Sequence, residues 1–218
     1  VSDTTYGFHN IYNWDLSLSA STKLYGMFIP NRKIFGDKIQ AIRHVITPSV
    51  SFSYAPDFGS SRYGYYSTYQ RTNADGSVEL VDYSPYSNGL YSVPGRGKTG
   101  NVSFSFDNNI EMKIKSDKDS TGIRKISIID NLGFRMSYNM AAKEKPWSDL
   151  SVDLRLKWWK NYTFNLNAVF ASYAYELDSN GEPYVGNHTY WGMGKIGRFQ
   201  GMSQNISYTL TPEKIKKL

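Results

Sequence analysis

Residues 11–28 read Ile11-Tyr12-Asn13-Trp14-Asp15-Leu16-Ser17-Leu18-Ser19-Ala20-Ser21-Thr22-Lys23-Leu24-Tyr25-Gly26-Met27-Phe28, and their period decides the fold. Even positions carry Tyr12, Trp14, Leu16, Leu18, Ala20, Leu24 and Phe28, with Asn13, Asp15, Ser17, Ser19, Ser21 and Lys23 between them. Successive side chains of a strand point to opposite faces, so one face here is apolar and the other polar. The same split recurs in residues 43–54, 101–115, 124–141, 150–159, 162–171 and 201–210. Across these seven windows 38 of 46 even positions are apolar against 9 of 47 odd ones, a contrast that a period of 3.6 cannot generate.

Alternation also occurs in soluble sandwiches, and length separates the two cases. Soluble strands average about 5–6 residues. Residues 11–28 and 124–141 each alternate over 18 positions, roughly 60 Å at ~3.3 Å per residue. A strand crossing a bilayer needs about 9–11 tilted residues and projects beyond it in large barrels. The even face carries Leu, Ile, Phe, Met, Val, Tyr and Trp, as lipid requires, and the odd face Ser, Asn, Asp, Lys and Arg, as a watery lumen allows. Tyr12, Trp14, Phe28, Phe52, Tyr54, Tyr138, Trp158, Tyr162 and Tyr208 stand near segment ends, like interfacial girdles. The expected fold is all-β, an antiparallel transmembrane β-barrel, with residues 1–218 as one segment of about seven long strands. Bacterial barrels close with an even number of strands. Seven therefore imply a portion of a larger barrel, its first and last strands unpaired within this chain.

Composition agrees. Aromatics make up 16% of 218 residues, too many for a disordered chain, while the mean hydropathy is −0.50. Averaging an apolar face with a polar one produces that combination. The longest apolar run is residues 168–171, far short of the ~20 that a membrane helix needs. No basic region followed by an apolar one opens the sequence, so any secretory signal is expected upstream or already removed. The absence of Cys excludes disulfides, thiolate metal sites and a Cys nucleophile.

Barrels alternate short periplasmic turns with long outer loops. Residues 55–100, 142–149 and 172–200 are expected outside, and 29–42, 116–123 and the Lys160-Asn161 turn inside. Within the two longest loops, Asn73-Ala74-Asp75-Gly76 and Asp178-Ser179-Asn180-Gly181 are hairpin signals. Residues 211–218 form a basic, turn-like tail.

Convergent catalytic groups are scarce, and no enzyme, cofactor or metal is expected. His9, His44 and His188 lack zinc-ligand spacing. His188 could pair with Asp178 or Glu182 as a barrel hydrolase requires, but a solvated loop His is the plainer reading. His44 falls on the presumed lipid face, at its interface. Gly95-Arg96-Gly97-Lys98-Thr99 lacks the earlier glycine of a phosphate loop, and a strand follows it. Asp178-Ser179-Asn180-Gly181-Glu182 is too short to hold calcium. The net charge of +6 is mild, and aromatics are not interleaved with Lys/Arg on a polar face, which excludes nucleic acid.

On the odd face stand eight bases, Lys23, Arg43, Lys113, Lys115, Lys125, Arg135, Arg155 and Lys157, and four acids, Asp15, Asp107, Glu111 and Asp153. Such a lumen suits an anionic solute such as a phosphorylated glycolipid headgroup. The alternative is that these charges only pair with one another. Pro48 interrupts a clean strand and cannot donate a ladder hydrogen bond, so it marks either a bulge or a seam that opens.

The run Arg43-His44-Val45-Ile46-Thr47-Pro48-Ser49-Val50-Ser51-Phe52-Ser53-Tyr54 resembles the Arg-His-x-x-x-Pro-Ser strand motif of the lipopolysaccharide-assembly outer-membrane proteins (LptD, also called OstA or Imp). Ile129-Asp130-Asn131-Leu132-Gly133-Phe134-Arg135-Met136-Ser137-Tyr138-Asn139 resembles a later strand of that barrel. The likeness runs from about Tyr12 to Leu210. It implies an outer-membrane barrel of a Gram-negative bacterium that inserts lipopolysaccharide into the outer leaflet. The implied partners are lipopolysaccharide, outer-membrane lipid, a plug lipoprotein and periplasmic bridge components, and the lipid passes from a jelly-roll domain through a gate between first and last strands. The jelly roll, the family's Cys pairs and a closing strand are not recognisable here, so no gate residue is carried over. Two other functions fit the pattern: a porin or uptake receptor, and a soluble carbohydrate-binding β-protein using the Tyr-rich residues 55–100.

Overall fold

The computed structural model describes residues 7, 9–117, 120–158 and 162–209. In chain order the elements are β1 (Leu16–Ser21), β2 (Leu24–Phe28), a one-turn helix α1 (Arg32–Phe35), β3 (Ile39–Ala55), β4 (Ser67–Thr72), β5 (Val78–Tyr83), β6 (Thr99–Lys115), β7 (Ile123–Asn139), β8 (Leu150–Trp158), β9 (Tyr162–Ala171), β10 (Tyr173–Leu177), β11 (Pro183–Thr189), a 3-10 turn (Trp191–Met193) and β12 (Arg198–Tyr208). Eight of the strands form one antiparallel sheet in the order β1-β3-β6-β7-β8-β9-β12, with β2 also on β3. Pairs β4-β5 and β10-β11 are separate hairpins. The chain divides into two compact units, residues 1–18 with 52–101 and residues 19–51 with 102–218.

Outside residues 11–28 the long strands overlap the alternating windows, and three exceed any ordinary soluble strand. β3, β6 and β7 have 17 residues each, about 56 Å at ~3.3 Å per residue. β9 spans residues 162–171 as read. β12 starts three residues before the expected 201, beyond a bulge at Gln200 between the pairs Phe199↔Phe170 and Gly201↔Val169. The expected Lys160-Asn161 turn, position 210 and the tail 211–218 lie outside the described residues. So do residues 118 and 119 of the 116–123 connection, where Ser116 N still donates to Gly122 O at 2.9 Å.

The sheet is antiparallel and not closed into a barrel: β1 and β2 form one edge and β12 the other, with no further strand on either among the described residues. One expectation is corrected. Residues 11–28 are two strands rather than one. The β2-β3 register, Leu24↔Ile46 to Phe28↔Ile42, continues to place Thr22 opposite Pro48. Thr22 N donates to Pro48 O at 3.2 Å, but Pro48 has no N–H to return, so half of this pair is missing and the strand breaks at Thr22-Lys23.

Both hairpin signals sit in hairpins. At the β4-β5 turn Asp75 Oδ1 accepts from Ser77 N (2.9 Å) and Ser77 Oγ (2.6 Å), and Gly76 takes φ 80°. At the β10-β11 turn Asp178 Oδ1 accepts from Asn180 N and Glu182 N, and Gly181 takes φ 81°.

Little of the sheet is buried. Among the described residues the buried hydrophobic side chains are Phe58 and Tyr65 in one unit and Ala168, Ala171, Tyr173 and Ala174 in the other. In the first unit Tyr65 OH donates to Tyr12 O (2.9 Å) and accepts from Tyr12 N (3.0 Å), with the rings of Phe58, Tyr63 and Tyr86 around it. In the second, fully buried Ser172 ties the ends of β8 and β9 together. Its Oγ donates to Ser148 O (2.6 Å) and its N to Asp149 Oδ1 (3.3 Å). Along the edges Leu24, Met202 and Ile206 stay 55%, 61% and 71% exposed, so no protein layer covers these side chains.

Candidate functional site

The odd face of β3, β6, β7, β8 and β9 gathers a chain of ion pairs. Arg43 Nη2 on β3 meets Glu111 Oε2 on β6 at 2.6 Å. Arg135 on β7 lies between two carboxylates, Asp107 on β6 (3.1 Å) and Asp153 on β8. Asn131 Nδ2 donates to Asp107 Oδ1 (3.1 Å) and Asn167 Nδ2 on β9 to Asp153 Oδ1 (3.4 Å). Arg155 and Lys157 of β8 both pair with Asp130, the latter at 3.0 Å. Gly133 makes room for this cluster. It is buried opposite Asp153 in the ladder, and a Cβ there would meet Asp153 Oδ2, Asp107 Oδ1 (2.9 Å) and Arg135 Nη1 (3.0 Å).

Half-exposed ion pairs stabilise a fold by only ~0–1 kcal/mol each. The arrangement therefore sets the electrostatics of the face more than its stability. Of the eight expected bases, Arg43, Arg135, Arg155 and Lys157 are neutralised. Lys23, Lys113, Lys115 and Lys125 have no acidic partner among the described residues. Lys113 and Lys125 line a small cavity of about 90 Å³ with Arg43, Glu111, Met27 and Ala41. Lys115 N donates to Lys38 O at 2.8 Å, which brings Lys38 to the same end of the sheet. Positive charge is thus concentrated beside the β6-β7 connection and cancelled farther along the strands.

Asp130 is the acid of this ion-pair network that strict alternation misses. By parity it belongs to the apolar face, yet it reaches Arg155 and Lys157 on the polar one. The strand slips at Ile129-Asp130, where one amide, Asn109 Nδ2, donates to both successive carbonyls at 3.3 and 2.9 Å. The sequence carries the mark of it, since an apolar odd residue stands directly before a charged even one.

Two wider grooves lie on the same face. The first, of about 570 Å³, has seven serines in its wall, with Phe104, Arg135 and Asp149. The second, of about 400 Å³, is walled by Asn131, Asn165, Asn167 and Asn205 with Arg135 and Asp153. On the even face His44 Nε2 is 3.1 Å from Asn108 Oδ1, and Asn108 Nδ2 donates to Leu132 O at 3.1 Å, so a polar staple crosses β3, β6 and β7.

The other candidates are structural in their surroundings. His188 Nδ1 lies 2.5 Å from Glu176 Oε1, not beside Asp178 or Glu182, and Tyr184 OH donates to Glu176 Oε2 at 3.0 Å. The His188 contact, then the Tyr184 one, holds the Glu176 carboxyl below its ordinary value, and the same carboxylate raises the Tyr184 hydroxyl. Gly186 permits this fold-over, because a Cβ there would run into the Glu176 side chain. In residues 95–99, Arg96 pairs with Asp82 and stacks on Tyr66 at 4.1 Å, and Gly97 N donates to Asp57 Oδ1 at 2.7 Å. Among the described residues no three His, Asp or Glu side chains converge on a metal position, and no helix is long and apolar enough to cross a membrane.

A family model described as LptD protein matches residues 1–173. Neither a curated protein nor a solved structure matches the chain.

Proposed function

Because the chain belongs to the LptD protein family, we propose that it is part of an outer-membrane β-barrel that transports lipopolysaccharide and inserts it into the outer leaflet of a Gram-negative bacterium. The observation that carries this reading is the two-faced long sheet: uncovered apolar side chains on the even face and an ion-paired, groove-bearing polar face on the other. In a closed barrel the even face meets lipid and the odd face lines water. The connections after β2 and β6 are the periplasmic ones, and the β4-β5 and β10-β11 hairpins belong outside.

In this orientation Lys113, Lys115 and Lys125 stand at the periplasmic mouth. Their charge, focused by low-dielectric walls, draws a phosphorylated glycolipid toward the lumen. The role is transport, without covalent chemistry and without a cofactor. The plug lipoprotein and the periplasmic bridge act as its partners. Depletion tests the reading: surface lipopolysaccharide should fall as the protein is withdrawn, and unchanged surface levels contradict it. Steady single-channel current through the protein in a planar bilayer would favour a diffusion pore instead.

A further inference from the structure

The connection after β2 presents apolar side chains and cations together. Leu24, Gly26 and Phe28 of β2 stand opposite Ile46, His44 and Ile42 of β3, which puts Phe28 on the even face. Beyond it Pro30 is buried, whereas Ile29 and Ile34 are 71% and 74% exposed. Arg32, Lys33, Asp37 and Lys38 are exposed too, so residues 29–38 carry three bases and one acid. Arg32 Nε lies 3.6 Å from Asp37 Oδ1, and Lys33 and Lys38 have no acidic partner among the described residues.

The shape of this connection is fixed by its own hydrogen bonds. Asn31 Oδ1 accepts from Lys33 N at 3.0 Å, Gly36 N donates to Arg32 O at 2.8 Å, and Gly36 takes φ 68°, so α1 is closed at both ends. The turn thereby holds Ile34 outward although no protein layer covers it. Two exposed isoleucines are unfavourable in water and favourable against hydrocarbon. Two unpartnered lysines beside them exclude a purely apolar partner, because an ammonium group buried without an anion is heavily penalised. The edge of an anionic bilayer meets both conditions, with acyl chain for the isoleucines and phosphate for the ammonium groups within one side-chain length. The turn is also continuous, through Phe28, with the even face that meets lipid under the proposed function.

We propose that residues 29–38 dock on the periplasmic leaflet of the outer membrane, with Ile29 and Ile34 among acyl chains and Lys33 and Lys38 on the phosphates of anionic phospholipids. The proposal rests on the membrane placement given under the proposed function. The test uses the whole chain in phosphatidylcholine liposomes, with Ile34→Cys carrying a bimane fluorophore. Quenching by brominated phosphatidylglycerol is compared with quenching by brominated phosphatidylcholine at equal fractions. Phosphatidylglycerol should be preferred, by roughly fivefold for each unpaired lysine. Lys33→Gln combined with Lys38→Gln leaves residues 29–38 with only the Arg32 and Asp37 pair, and should bring the preference to about one while quenching itself persists. Raising the salt to about 0.5 M should do the same to the parent, and circular dichroism verifies that each variant keeps its strands. Equal quenching by the two lipids in the parent overturns the proposal, as does an undiminished preference in the lysine variant. Quenching by neither lipid also overturns it and assigns the turn to water or to an acidic protein. A second label at Leu154→Cys, on the even face of β8, separates the two readings. If it is quenched while Ile34→Cys is not, the docking fails and the membrane placement stands; if neither is quenched, both fail.

Discussion

Replacing Gly133 by Ala should destabilise the sheet although alanine is the better residue for an ordinary strand. Loss of glycine's flexibility in the unfolded chain favours the variant by about 0.5–1 kcal/mol. Against that, the new methyl must occupy space held by Asp153 Oδ2, with Asp107 Oδ1 at 2.9 Å and Arg135 Nη1 at 3.0 Å. Forcing a group into such a packed position costs about 1–3 kcal/mol. Displacing the carboxylates also weakens two half-exposed Arg135 pairs, worth at most about 0.5 kcal/mol each after screening. The net runs from about 0 to 3.5 kcal/mol, with a central destabilisation of about 2 kcal/mol, read by urea unfolding of the refolded chain in micelles through tryptophan fluorescence. Gly201→Ala is the control, since nothing lies within 4 Å of its Cβ position; it should be neutral or stabilising. In an Asp153→Ala background the Gly133→Ala cost should shrink, because the main obstruction is gone. Gly133→Ala as stable as the parent would refute the idea that this glycine exists to seat the carboxylates.

Three further expectations follow from the same geometry. Pro48→Val supplies the missing donor opposite Thr22 and should stabilise the β2-β3 edge by about 0.5–1.5 kcal/mol; slower amide exchange at Ser21–Lys23 checks it, and unchanged exchange argues against Pro48 as the cause of the break. His44→Ala removes one link of the staple to Asn108 and should cost about 0.5–1.5 kcal/mol in the same urea assay, whereas no loss would mean that the link contributes nothing. The β10-β11 ties through Glu176 have a folded pKa below the ordinary 4.5. Their contribution is therefore complete above that ordinary value and is lost as pH falls through the lowered one. Limited proteolysis within residues 178–182 should rise as pH falls below the ordinary 4.5, and Glu176→Gln should abolish that pH dependence; cleavage insensitive to pH in the parent would exclude the linkage.

The long strands were legible because a period of two is written in each strand by its own residues. Residues 101–115 and 162–171 alternate with few exceptions, Asn108 on the even face and Val169 and Ala171 on the odd, and the strands Thr99–Lys115 and Tyr162–Ala171 cover them. The hairpins inside residues 55–100 and 172–200 announced only their turns. Their strands are only five to seven residues long, and β4 is exposed throughout, so no long alternation marks them. Effects that depend on a neighbouring strand were not legible. Pro48 leaves β3 continuous and breaks the chain opposite it, which follows only from the register. Likewise the sequence places eight bases on the odd face but leaves open whether they stay free or pair with one another. Asp130 crosses over through a local slip, and four of the cations are neutralised across strands. His188 finds Glu176 rather than the acids nearer the turn, because antiparallel pairing folds β11 back onto β10.

The central claim is that even positions meet lipid and odd positions meet water, and the chain's lack of Cys makes it directly testable. Single cysteines placed one at a time from Ser151 to Lys157, spin-labelled and reconstituted into liposomes, report collisions with oxygen from the lipid phase and with a water-soluble nickel chelate. Val152, Leu154 and Leu156 should show high oxygen and low nickel accessibility, and Ser151, Asp153, Arg155 and Lys157 the opposite, alternating residue by residue. Equal nickel accessibility at both sets of positions would contradict the account.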